Sequence, residues 1–247
     1  MFGYGVRPAV ENEFPFVVCI LKYDPLQNWD YNLLCTGMFI STNYILTAEH
    51  CFIVSSHYQI EMTVGGYILD NGIRYYPIWW ISYNQWMANT NQVHTDLFND
   101  ILIARIFGLP FTFDIPISLD YIHPDNVEES SIFNVVGCGR LEDERLPTIL
   151  RTASLPILSN VMCINKLSNV VGAYIYLDNK YLCTYNNPYT LLHDGDSGGP
   201  LLHNGNIVGV SIAVCPNIQN INNSDQVNIH LSFYHYYSFI NSLILLA

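Results

Sequence analysis

The sequence predicts an all-β protein built from two successive series of strands and closed by a C-terminal helix. Three observations carry that prediction. Short apolar or alternating runs rich in Val, Ile, Tyr and Phe recur along the chain with Gly, Asn and Asp between them, the pattern of a sandwich or barrel. These runs fall into two groups on either side of a stretch punctuated by Pro110, Pro116 and Pro124, where the chain changes from one unit to the next. From Phe233 to Leu246, apolar residues crowd nearly every face behind Ser232, a residue type that caps helices.

Taken in order, the first series covers residues 16–23, an apolar run ending near Lys22, and 33–40, apolar around Cys35 and Thr36. It continues with 44–48, then 60–64 with Ile60, Met62 and Val64 alternating, then 73–81 with its four aromatic residues, and 101–106. The second series covers 132–136, 149–157, 181–184, 201–203, 207–214 and 227–231, each bounded by polar or turn residues. The terminal helix is too short to span a bilayer and is expected to pack against the second series. No repeat of fixed period is evident.

Composition narrows the function classes. Half of the 247 residues are hydrophobic and 12% are charged, which describes a folded globular chain with an ample core. The formal net charge is −12, and the basic residues are scattered, so nucleic acid is not an expected partner. No stretch reaches the roughly 18 consecutive apolar residues of a membrane span, so no membrane association is expected. Residues 1–8 lack the charged start and apolar core of a signal peptide, so a secreted form would carry its leader outside them. The seven cysteines include no Cys-x-x-Cys pair, which points to disulfides and an oxidising compartment rather than to a zinc ribbon. Asn222-Asn223-Ser224 is an N-glycosylation acceptor, in keeping with secretion.

The chemistry centres on Asp194-Gly195-Asp196-Ser197-Gly198-Gly199-Pro200. By itself this stretch has two readings, an ordinary glycine-rich turn or a nucleophile held in a tight one. In the second, glycines let the backbone fold so closely that the N–H groups of Gly195 and Ser197 point together at a developing oxyanion. Thr47-Ala48-Glu49-His50-Cys51 sets a histidine at the end of a strand, and Asn99-Asp100-Ile101-Leu102 sets an acid at the start of another. The other histidines, including His57 and His94, show no metal-ligand spacing and read as surface or satisfied core residues.

With these three stretches in this order, the chain resembles the chymotrypsin-like (trypsin-fold) serine endopeptidases. The resemblance covers nearly the whole chain from about Glu13. It implies two six-stranded antiparallel β-barrels packed together, with a C-terminal helix. The implied divisions are an N-terminal segment 1–15, a first barrel 16–115 carrying His50 and Asp100, a second barrel 116–231 carrying Ser197, and a helix 232–247, together one peptidase domain. It implies that Ser197 attacks the scissile carbonyl, His50 takes and returns the proton, and Asp100 fixes the imidazole tautomer. Gly195 and Ser197 would supply the oxyanion hole. Ser211 matches the serine that supports the aspartate, with a plain strand hydroxyl as its other reading. Polypeptide substrates, protein inhibitors, a monomeric state, a secreted location and a zymogen precursor follow from the same resemblance; no cofactor and no metal do.

The resemblance also assigns Cys35 to Cys51 and Cys163 to Cys183. His193 stands where the family has a third cysteine, so Cys215 loses its usual partner, and Cys19 is expected to pair with Cys138. Leu191 falls at the base of the primary specificity pocket, whose walls would include Leu192, Ile212, Ala213 and Gln226. Without a carboxylate there, cleavage after apolar or small residues is expected rather than after Lys or Arg. Asp194 would repel acidic substrates, and Glu49, where the family has a small residue, would perturb His50 or pair with it. At the start of the chain, Gly3-Tyr4-Gly5-Val6 is aligned with the family's freed Ile-Val-Gly-Gly terminus, which leaves Asp196 a buried acid without its activating partner. That departure, with the lost cysteine, supports an alternative function as a non-catalytic homologue acting in binding or regulation.

Overall fold

The apolar runs become strands in the computed structural model, which describes residues 1–23, 33–53, 60–64, 72–90, 98–107, 118–217 and 222–244. Two short strands, β1 (Phe2–Gly3) and β2 (Arg7–Pro8), precede the first series. That series is β3 (Val17–Lys22), β4 (Leu33–Phe39), β5 (Tyr44–Thr47), β6 (Ile60–Val64), β7 (Ile73–Tyr75), β8 (Pro77–Ser82) and β9 (Leu102–Ile106). The second series is β10 (Ile132–Gly137), β11 (Arg151–Leu158), β12 (Tyr181–Thr184), β13 (Thr190–Leu191), β14 (Pro200–His203), β15 (Asn206–Cys215) and β16 (Val227–Ser232). The expected boundary at 115/116 lies outside the described residues.

The named strands pair antiparallel; β1 and β13 form a two-stranded sheet of their own, and the rest make two larger sheets. The first curls in the order β7-β6-β3-β4-β5-β9-β8. The second runs β10-β14-β15-β16-β12-β11-β2 and closes on itself because β10 also pairs with β11, from Ile132↔Pro156 to Gly137↔Arg151. Closure leaves a six-stranded barrel with β2 outside it. One apolar cluster, including Ile20, Met38, Phe39, Ile45 and Leu46, reaches from the first sheet into the interface with Val136, Leu202 and Val210. A second, with Met1, Phe133, Leu155 and Leu201, fills the barrel.

The Cys19–Cys138, Cys35–Cys51 and Cys163–Cys183 disulfides form as expected and Cys215 is free. Cys19–Cys138 joins β3 of the first sheet to the segment after β10 across 119 residues of chain. Closing a loop of that length stabilises the fold by about 4–5 kcal/mol through the unfolded chain, so this bridge staples the halves together.

Helical segments hold the periphery. Ser82 and Gln85 cap each other reciprocally at the start of the helix Tyr83–Asn89. The helix Asn160–Val171 starts behind Ser159 and stops at Gly172, which is left-handed at φ 74°. At the C-terminus, Ser232 caps a 3-10 turn, Phe233–Tyr236, that leads into the helix Tyr237–Ile244. This tail packs on the second half as expected, where Tyr237 meets Tyr121 at 4.7 Å and Asn241 donates to the Tyr121 hydroxyl at 3.0 Å, and it also reaches the first half. Its Phe239 ring lies 5.6 Å from Trp86 and 5.5 Å from Tyr83, because the helix Tyr83–Asn89 of the first half presents the aromatic surface that the tail needs.

Candidate active site

The histidine stretch is fixed from the first sheet. Thr47 ends β5, Ala48 is fully buried, and His50 opens the short helix His50–Ile53, with Cys51 tied to Cys35 of β4. Asp100, just before β9, meets His50 at two points. Its Oδ1 accepts the His50 backbone N–H at 2.8 Å and its Oδ2 lies 2.6 Å from Nδ1. This hold leaves the ring's Nε2 without a partner among the described residues. The imidazole is 42% exposed and Asp100 28%. Glu49 beside them is half-buried, and its carboxyl is pushed up, first by burial and further by the Asp100 charge, against a hydrogen bond from Ser82.

The serine turn comes from the barrel but hangs on the first sheet. Thr36, a fully buried threonine in β4, donates its N–H to the Ser197 carbonyl at 2.9 Å and its hydroxyl to the Gly195 carbonyl at 2.7 Å. Gly195 and Gly198 have φ of 93° and 83°, and a Cβ on Gly198 would strike the Thr36 carbonyl and the Thr47 hydroxyl. Glycine is therefore required where the two halves meet. The N–H groups of Gly195 and Ser197 have no partner among the described residues, as an oxyanion site needs. The Ser197 hydroxyl rests 3.4 Å from the Ile212 carbonyl, a weak contact that rotation about one single bond can release.

Asp196 is not unpaired. The Met1 ammonium lies 2.5 Å from its Oδ2, with both groups buried to 1% or less, and also donates to the Arg140 carbonyl at 2.8 Å. The N–H groups of Gly139 and His193 complete the carboxylate's shell, each at 2.9 Å. The expected alignment of Gly3-Tyr4-Gly5-Val6 is thus two residues too late. The physical reason is β1, whose pairing of Phe2 with Leu191 and Gly3 with Thr190 carries Met1 beneath the turn.

A further expectation is corrected. Ser211 does not support Asp100; its hydroxyl lies 3.0 Å from His230 Nδ1 in the barrel interior. A β-bulge between Ser211 and Ala213 makes Ile212 the extra residue and brings its carbonyl, not that of Ser211, to Ser197. Gln226 caps a 3-10 turn and donates to the Pro216 carbonyl at 3.1 Å. Asn228 meets the 190–192 segment, accepting from Leu192 N–H at 2.8 Å and donating to the Thr190 carbonyl at 2.9 Å.

Of the remaining predicted residues, Leu191 is buried against β1, Leu192 joins the barrel core with Met1, Ile212 and Ala213 are half-buried, and Asp194 is exposed. His193, in the place of the missing cysteine, reaches Glu144 at 3.3 Å. Sequence reasoning passed over Thr36 and Asn228, and it read His230 with the other histidines as a surface or satisfied core residue, which its buried, twice-bonded ring is. The signal is a lone threonine in the apolar run of β4 and a row of alternating polar residues in β16.

The profile of the trypsin family matches residues 4–240, and the chain belongs to that family of serine endopeptidases. It is 27% identical to a thrombin-like enzyme, a gyroxin analog from Lachesis muta muta, over 81% of this chain and 79% of that one. It is 27% identical to chymotrypsin-2 of Vespa crabro over 70% and 75%, and to trypsin delta of Drosophila melanogaster over 71% and 66%. The fold is shared with neuropsin, a serine protease of mouse brain, at a TM-score of 0.74 and 18% identity, covering 99% of this chain and all of that one.

Proposed function

We propose that this endopeptidase cleaves peptide bonds through an acyl-enzyme on Ser197. The observation that carries the reading is the two-point hold of Asp100 on His50, which fixes the ring with Nδ1 turned inward and Nε2 free. Ser197 Oγ attacks the scissile carbonyl carbon as its proton passes to Nε2. The carbonyl oxygen becomes an oxyanion that accepts from the N–H groups of Gly195 and Ser197, each donor being worth roughly 3 kcal/mol in such a site. Collapse expels the amine, which takes the proton from Nε2, and water then repeats the sequence to free the acid. Asp100 stays ionised and stabilises the imidazolium.

The bond cleaved follows an uncharged residue. Ile212, whose carbonyl lies 3.4 Å from the Ser197 hydroxyl, and its neighbour Ala213 are half-buried and apolar, and Leu191 brings no carboxylate toward a basic side chain. Secretion accords with three disulfides, and an N-glycan at Asn222 accords with the exposure of that residue. A peptide library varied at the residue donating the scissile carbonyl tests the preference. Dominant cleavage after small or apolar residues is expected; dominant cleavage after Lys or Arg would contradict it.

A further inference from the structure

The barrel interior beneath the serine turn holds four buried polar side chains on three adjacent strands. Thr184 of β12 and Asn228 and His230 of β16 are fully buried, and Ser211 of β15 is 1% exposed. An unsatisfied polar group at such depth costs about 1–3 kcal/mol, and apolar side chains would fill the same space without that risk. The four satisfy one another in a chain. His230 Nδ1 lies 3.0 Å from the Ser211 hydroxyl and Nε2 3.0 Å from the Thr184 hydroxyl, which accepts from Asn228 Nδ2 at 3.3 Å.

Both ends of this chain finish on the backbone that flanks the nucleophile. At one end, Asn228 holds the Thr190 carbonyl and the Leu192 N–H. At the other, the Ser211 carbonyl accepts from Gly198 N–H at 2.7 Å and its N–H donates to the Gly199 carbonyl at 2.8 Å. Residues 193–197, which include the Gly195 and Ser197 donors, therefore lie between two anchors joined through one imidazole. We infer that Asn228, Thr184, His230 and Ser211 form a buried brace that sets the spacing of the serine turn, with His230 as its central positioning residue. The inference rests on the peptidase reading of that turn.

A neutral imidazole suits the place because it can give a proton to one hydroxyl and accept from the other. Burial keeps the ring in that form by pushing its pKa down to about 3. A charged side chain at the same point would be an uncompensated ion in the barrel core.

The test compares turnover per competent site. A fluorophosphonate titration counts reactive Ser197, and kcat is divided by that count for wild type, Thr184→Val, Thr184→Ser, His230→Gln and Ser211→Ala. Small misplacements of oxyanion donors lower kcat by about ten- to a hundredfold, so Thr184→Val and His230→Gln should lose that much per titrated site. KM should change by less than about threefold, since the lost interactions serve the transition state. Thr184→Ser, which keeps the hydroxyl, should restore wild-type turnover. Should the larger changes prevent folding, Ser211→Ala removes one link with little change of volume and should still lower turnover per site several-fold. Unchanged turnover per site, with only fewer competent sites, would overturn the brace and leave the peptidase reading intact. A folded wild type that neither labels nor hydrolyses peptides would overturn the peptidase reading, and the brace with it.

Discussion

The two halves hold their share of the site by different means. The first sheet places His50 and Asp100 near the surface and orients them by two direct hydrogen bonds. The barrel places Ser197 on a turn whose supports are buried: Thr36 of the first sheet beneath it, Asp196 with Met1 on one side and the Asn228–His230–Ser211 chain on the other. In the proposed reaction the base meets substrate and sheds a proton, which suits a local support. In the same reaction the oxyanion site must not relax as charge develops, which suits a deep one.

Breaking the shallow side gives the largest effect. Asp100→Asn should lower kcat by about 10⁴-fold, the loss established for this family's triad, while thermal unfolding stays close to wild type. On the deep side, Asp196→Asn leaves the Met1 ammonium buried without a counter-charge. Breaking a buried pair in this way destabilises by about 3–5 kcal/mol, readable as a lower urea midpoint, with a fall in kcat as the turn loses its shape.

A third effect separates the halves by pH. His230 is neutral in the fold down to about pH 3, whereas the unfolded chain protonates it below about 6.5. Between these values the unfolded state binds the extra proton, so stability falls as pH drops from about 6.5 toward 3, at about 1.4 kcal/mol per pH unit. Above that window the ring contributes no slope. Urea unfolding at successive pH values should show a slope in wild type that His230→Gln lowers by about this amount across that window. The smallest effect belongs to the exposed Arg7–Glu13 pair, where Glu13→Gln should change stability by less than about 1 kcal/mol. A larger loss there would blur the contrast between surface and buried support.

Legibility in the sequence follows the same division. The strands were readable because β-branched and aromatic runs sit between turn residues, and the serine, histidine and aspartate stretches because each is local. The helix Asn160–Val171 was hidden because exposed Val161 and Met162 lie on the face opposite buried Cys163 and Leu167, which blurs the amphipathic period. The helix Tyr83–Asn89 carried a readable capping signal in Ser82 and Gln85 that was passed over. Ser211 was misplaced because one bulged residue exchanges the faces of a strand, and spacing along the chain does not reveal a bulge. The partner of Asp196 was missed because Met1-Phe2 shares no side chain with Ile-Val, and only the pairing of β1 with β13 fixes the register. The Cys19–Cys138 bridge, by contrast, followed once the family's other pairings were assigned, and it formed.

The central claim is that Ser197 is a nucleophile activated by His50. Intact-mass and peptide analysis after exposure to a fluorophosphonate tests it most directly. One adduct per chain, located on Ser197 and lost in His50→Ala, is the expected result. A folded protein with a free Met1 ammonium that takes no adduct at Ser197, or takes it equally without His50, would contradict the account.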